Sequence, residues 1–108
     1  MINDHDDKFE KLDEVIDADP GVASAHLNRG IAYQEKGDYD SAIVDFDAAI
    51  RLDPGVARSW FNRGFSHYRR AELKKAISDC SEALRLEPEI WECLNLRGDL
   101  FAKKGELE

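Results

Sequence analysis

The sequence predicts an all-α fold of stacked antiparallel helix pairs. Three observations carry the prediction: a 34-residue period along the chain, small residues at fixed points of that period, and helix-stopping residues after each amphipathic stretch. Several residue types report the period at once. Gly30, Gly64 and Gly98 are 34 residues apart, and so are Pro20, Pro54 and Pro88, Arg29, Arg63 and Arg97, and Val22, Val56 and Ile90. Ala42 with Ala76, Ile43 with Ile77, Asp45 with Asp79, Ala49 with Ala83 and Leu52 with Leu86 repeat the same separation. Self-similarity at this scale is the mark of units that cannot bury their apolar faces alone and must stack.

The elements follow in order. Asp7–Ala18 carries Phe9, Leu12, Val15 and Ile16 on one stripe, the spacing of a helix face. Ala23–Lys36 is rich in helix formers and ends at Gly37-Asp38. Tyr39–Leu52 places Ala42, Ile43, Phe46, Ala49 and Ile50 on one side, then stops at Asp53-Pro54-Gly55, because Pro cannot continue a helix and Gly accepts the turn. The second unit repeats this with Ala57–Arg70, a turn near Ala71-Glu72, Leu73–Leu86 and Glu87-Pro88. A sixth helix is expected over Ile90–Lys104, with Gly105-Glu106-Leu107-Glu108 as a turn and the start of a further helix. The chain thus reads as one domain, 1–108: an N-terminal capping half-unit at 7–22, whole units at 23–56 and 57–90, and a C-terminal half-unit at 91–108. Connections of about two to four residues make sequential helices antiparallel neighbours.

Composition removes several function classes. The formal net charge is −8, from 23 acidic and 15 basic residues, the opposite of the Lys/Arg excess that grips a phosphate backbone or an anionic membrane. No apolar run approaches the roughly 18 residues of a membrane span. The opening residues, Met1 to Asp7, are acidic and resemble neither a signal nor a transit peptide, which favours a cytoplasmic chain. Cys80 and Cys93 form neither a disulfide framework nor a metal-ligand pattern and read as small core residues. His5, His26 and His67 stand with no nucleophile or Gly-rich phosphate loop, so neither catalysis nor a cofactor is implied.

The unit resembles the tetratricopeptide repeat (TPR), whose pattern is Trp-x2-Leu-Gly-x2-Tyr, then Ala-x3-Phe, then Pro. The second unit shows Trp60, Arg63, Gly64, His67, Ala76, Cys80 and Pro88; the first shows His26, Arg29, Gly30, Tyr33, Ala42, Phe46 and Pro54; the last half-unit adds Leu94, Arg97, Gly98 and Phe101. The resemblance implies a right-handed superhelical α-solenoid whose first helices line a concave, partner-binding face. The small residues then let helix axes approach, while Tyr33, Phe46, Trp60, Leu73 and Phe101 fill the remaining volume. Arg replaces the usual Leu at 29, 63 and 97, and the recurrence of Asp45 and Asp79 predicts that Arg63 pairs with Asp45 and Arg97 with Asp79, leaving Arg29 without an equivalent.

The resemblance implies a non-catalytic scaffold that holds a partner peptide or helix along Leu27, Asn28, Ile31, Gln34 and Glu35, then Arg58, Phe61, Asn62, Phe65, Tyr68 and Arg69, then Glu92, Asn95, Leu96 and Asp99. Asn28 and Asn62 can read an extended backbone, with apolar pockets between them. The carboxylate clamp of chaperone-tail binders is not expected. In one register Leu27, Ile31, Glu92 and Leu96 replace its polar residues, and in the other Asn62 stands where its Arg belongs. At the ends, Lys8 occupies the place of Ala42 and Ala76, which suits a cap. Leu94, Leu100 and Phe101 read as an uncovered surface, either because the chain is part of a longer array or multidomain protein, or because a second copy docks there as a homodimer.

Overall fold

The computed structural model describes the backbone of residues 4–107 and the side chains of residues 8–105; His5 and Glu108 lie outside what can be said of side chains. The described residues form six α-helices: α1 Asp4–Ala18, α2 Ala23–Lys36, α3 Tyr39–Leu52, α4 Ala57–Arg69, α5 Leu73–Leu86 and α6 Trp91–Leu107. Four boundaries differ from expectation: α1 begins at Asp4 and not Asp7, α6 begins at Trp91 and not Ile90, and α4 and α6 end elsewhere. Arg70 already sits outside α4 as its C-cap. At the far end, α6 runs through Gly105 instead of turning there. A Gly-Glu step lacks the Asp that caps a following helix at Gly37-Asp38, so nothing local stops α6.

The turns are built from local hydrogen bonds. Gly37 adopts φ 86°, in the left-handed region, and its N–H and that of Asp38 donate to the carbonyls of Gln34 and Tyr33, closing α2. Asp38 then caps α3 by accepting from the Ser41 N–H at 3.1 Å and the Ser41 hydroxyl at 2.8 Å. In the second unit Ala71 takes the place of Gly37 with φ 62°, a conformation less comfortable for a residue with a Cβ. Between units, the carboxylates of Asp19 and Asp53 accept from Gly21 and Gly55, bending the chain around Pro20 and Pro54.

Close packing explains the small residues. A Cβ on Gly30 would lie 2.6 Å from the Phe46 ring, and one on Gly64 would lie 2.9 Å from Asp79 Cβ and 3.3 Å from the Ala76 carbonyl oxygen. Ala42, Phe46, Ala76, Cys80 and Ala83 are fully enclosed. The second half of the core joins Ala57, Ala83, Ile90 and Cys93, and next to them Ala76, Cys80, Leu96 and Leu100. The large residues divide. Phe46 is buried, but Trp60 is only part-buried, its Nε1 donating to the Pro54 carbonyl at 2.8 Å, and Phe101 is half exposed.

Leu100 corrects the expectation of an open Leu94–Leu100–Phe101 surface: it is fully buried against Ala76, Cys80 and Leu96. It points from α6 back toward α5, while Leu94 and Phe101 lie on another side of the helix. Each helix packs on the next, and α2 also touches α4, and α4 touches α6, while α3 and α5 do not meet. The stack therefore curves with α2, α4 and α6 on its inner side, which places the candidate groove there.

Candidate peptide-binding groove

The inner face is built unevenly along its length. Gln34 reaches from α2 to α4, its Nε2 donating to the Asn62 carbonyl and the Ser66 hydroxyl, both at 3.1 Å. It joins two helices and is not a free groove residue. Asn62 is also occupied: its side chain is buried and donates to the Arg58 carbonyl one turn back at 2.8 Å. This leaves Asn62 little surface from which to read a peptide backbone. Asn28 is exposed and borders a hollow of about 360 Å³ with Lys8, Lys11, Leu12 and Ile31. Leu27 is half-buried beside it on α2 and does not line that hollow.

The aromatic end is different. Phe61, Phe65 and Tyr68 form a row along α4, with successive ring centroids 6.3 and 6.4 Å apart. Phe61 and Phe65, with Trp91, Glu92, Asn95, Leu96 and Asp99 from α6, surround a hollow of about 300 Å³. Leu96 is buried and belongs to the core beneath this hollow, so of the apolar groove residues it is floor and not rim. Phe61 and Phe65 serve both core and groove. Helical periodicity assigns each residue one direction, whereas a ring wide enough to bridge two helices faces both. The Tyr68 hydroxyl donates to Asp99, which holds the phenol pKa above its ordinary value, and Lys103 Nζ lies 5.6 Å from the ring centroid. Arg58 and Arg69 turn elsewhere. Arg58 borders a separate hollow with Leu86 and Glu87, and Arg69 lies 5.7 Å over the Tyr39 ring and donates to its hydroxyl at 3.2 Å.

The arginine row is structural in two of its three members, with partners other than those expected. Arg29 grips Asp45 through two bonds of 2.8 Å and reaches Asp13 at 2.9 Å. Arg63 grips Asp79 at 2.9 and 2.7 Å and reaches Asp47 at 3.0 Å. Each Arg thus sits between an Asp 16 residues ahead and another 16 residues behind, so Arg29 has a full partner set and Arg63 does not pair with Asp45. The missed signal was the second Asp series, Asp13 and Asp47, which has the same 34-residue period. Asp45 and Asp79 are buried, and the bidentate fork raises the Arg29 and Arg63 pKa values further above their usual range. Among the described residues no carboxylate pairs with Arg97, whose guanidinium lies 5.5 Å from the Phe101 ring centroid.

His26 and His67 are buried, as their packing positions imply. His26 Nε2 lies 2.9 Å from the Pro20 carbonyl oxygen, and His67 Nδ1 lies 3.1 Å from Glu72, whose pKa it lowers. Burial pushes the Cys80 thiol up to about 12 and that of Cys93 to about 11, so both stay protonated near neutrality and neither is poised as a nucleophile. No helix of the described residues is long and apolar enough to cross a membrane.

Tetratricopeptide-repeat family models match residues 23–56 and 57–90. The chain belongs to the tetratricopeptide-repeat family, a class of helical protein-interaction modules. Among solved structures, the first TPR of Spaghetti (RPAP3), bound to the HSP90 peptide SRMEEVD, superposes with a TM-score of 0.92 at 24% identity, covering 94% of this chain and 81% of its own. The second TPR domain of human RPAP3, in complex with an HSP70 peptide, gives 0.81 at 27% identity over 85% of this chain and 77% of its own. The Yersinia enterocolitica type III secretion chaperone SycD, in complex with a peptide of the translocator YopD, gives 0.85 at 22% identity over 94% and 82%. No curated protein matches the sequence.

Proposed function

We propose that this chain is a non-catalytic interaction module that holds a peptide or helix of a partner protein against α4 and α6, with an apolar anchor in the Phe61–Phe65–Trp91 hollow. The observation that carries this reading is an apolar hollow of about 300 Å³ on the inner face of the stack, rimmed by Glu92 and Asp99. Similar folds hold peptides, as their complexes with HSP90, HSP70 and YopD segments describe. The chemistry of this groove favours a different ligand from an acidic chaperone tail. Leu27, Ile31, Glu92 and Leu96 stand where a carboxylate clamp needs Lys, Asn and Arg, and the rim of the hollow is anionic. A partner with a Leu or Phe anchor flanked by Lys or Arg fits both features, with an affinity on the order of micromolar for so small a contact. The net charge of −8 disfavours nucleic acid as a ligand.

Titration of isotope-labelled protein with a peptide carrying one Phe between lysines should shift the amides of residues around 61, 65, 92 and 99. The double variant Glu92→Lys, Asp99→Lys should weaken that binding about tenfold, and SRMEEVD should bind less tightly than the cationic peptide. Equal or tighter binding of the acidic tail would overturn the reading.

A further inference from the structure

Tyr68 stands beside the α4–α6 hollow, and its hydroxyl donates to Asp99 of the hollow's wall. The Phe65 ring, on the same wall, lies 6.4 Å from that of Tyr68, centroid to centroid. A carboxylate and a phenol ring thus sit side by side. One offers full negative charge and the other the negative face of its quadrupole, the pairing that attracts an ammonium or a guanidinium. The protein itself supplies one. Lys103, one helical turn beyond Asp99, is exposed and brings its Nζ to 5.6 Å from the Tyr68 ring centroid. Asp99 holds the phenol pKa up and Lys103 pulls against it, so both charges act on the same hydroxyl. Asp99 and Lys103 correspond by the 34-residue period to Phe65 and Arg69. Those two belong to a unit followed by both α5 and α6, and there Phe65 still lines the hollow and Arg69 is still exposed. Helices stacked beyond α6 in the same way would leave Asp99 and Lys103 open too.

We infer that the Tyr68 ring and the Asp99 carboxylate form the seat for a Lys or Arg side chain of the partner peptide, and that Lys103 is the chain's own cation, which must leave when that side chain arrives. Resting on the groove binding proposed above, this adds its regulation. Binding becomes an exchange of one cation for another. Lys103 is tethered four residues from Asp99, so it competes at the high effective concentration of an intramolecular group. A cationic peptide with no apolar anchor has only its charge to set against that advantage. A peptide with the anchor and no cation leaves Lys103 where it is. Only a ligand that fills the Phe61–Phe65–Trp91 hollow and presents a cation beside it gains both contacts. Lys103 therefore acts as a filter, lowering the affinity of every cationic ligand and costing least to those that also bury an apolar side chain.

The test titrates the whole chain with two peptides, one carrying a Phe between lysines and one with glutamines in place of the lysines. Calorimetry gives the affinities, and the Lys103 Hε resonances report whether that side chain lies on the Tyr68 ring. Lys103→Gln should tighten the lysine peptide about threefold and leave the glutamine peptide unchanged. Lys104→Gln removes the same charge about 100° further around the helix and should have little effect on either. In the wild type, the ring-current shift of the Lys103 Hε protons should vanish as the lysine peptide saturates and persist with the glutamine peptide. Lys103 is exposed, so its variant does not put the fold at stake. Equal gains from the two variants would assign the effect to overall charge. Unchanged or weaker binding in Lys103→Gln would show that Lys103 is no competitor. Either result overturns this inference and leaves the groove standing, whereas a lysine peptide that binds neither wild type nor Lys103→Gln overturns both.

Discussion

The arginines at 29 and 63 and the arginine at 97 occupy the same point of one repeat and live in different physics. The first two are closed between helices, each forked on a buried Asp and braced by a second, while the third lies over the ring of its own helix neighbour Phe101. The same holds for the glycines one residue on: Gly30 and Gly64 are walled by Phe46 and Asp79, and Gly98 faces open space. A repeated letter therefore has no fixed energetic meaning. Its value depends on which neighbouring helix packs against it, which is the nearest-neighbour logic of a solenoid.

The largest expected contrast is in the ion pairs. Asp79→Ala leaves Arg63 facing a buried, vacated site and should cost about 3 kcal/mol, the low end for a broken buried pair because the guanidinium is partly exposed. Arg97→Ala should change stability by less than about 0.5 kcal/mol. Chemical denaturation of the two variants checks both, and similar losses would mean that the Arg63 fork contributes no more than a surface contact. The glycines should differ in sign. Gly64→Ala forces a Cβ toward Asp79 Cβ and the Ala76 carbonyl and should destabilise by about 1–3 kcal/mol. Gly98→Ala should stabilise by about 0.5–1 kcal/mol, since only the helix propensity changes. Thermal unfolding of the pair reads the sign directly.

The smallest effect separates the two complete units from each other. Asp38 caps α3 with its side chain, whereas Glu72 at the equivalent place makes no such bond to α5 and turns to His67 instead. Asp38→Ala should cost about 1 kcal/mol, and Glu72→Ala should not show a capping loss. The bonds from the Ser41 N–H and hydroxyl hold the Asp38 carboxyl below its ordinary value. A carboxyl depressed in the folded state stabilises above its unfolded pKa, so the difference between wild type and Asp38→Ala should be full at neutral pH and fade as pH falls below about 4. A difference that persists unchanged at pH 2 would assign the loss to something other than the cap.

Much of this was legible because the repeat samples the same problem more than once. All six helices, the Asp-Pro-Gly turns and the close approach at Gly30 and Gly64 follow from residues three or four apart, or from the period itself. The groove was legible less well. Phe61 and Phe65 could be placed on the inner helices, yet nothing in their spacing says that Asn62 between them bends back onto the Arg58 carbonyl, or that Leu96 is floor and not rim. Those outcomes depend on how closely α4 and α6 approach.

By itself the sequence determined the helix pairs, their order, their antiparallel stacking and the family, since each rests on local propensity or on a period counted along the chain. Only the tertiary structure decided the Arg–Asp partners. Two aspartate series share the same period, and a choice between them depends on which helix face meets which across 16 residues of chain. It also decided that Leu100 is core while Leu94 and Phe101 are surface, because burial belongs to the neighbours that a side chain meets and not to the side chain alone.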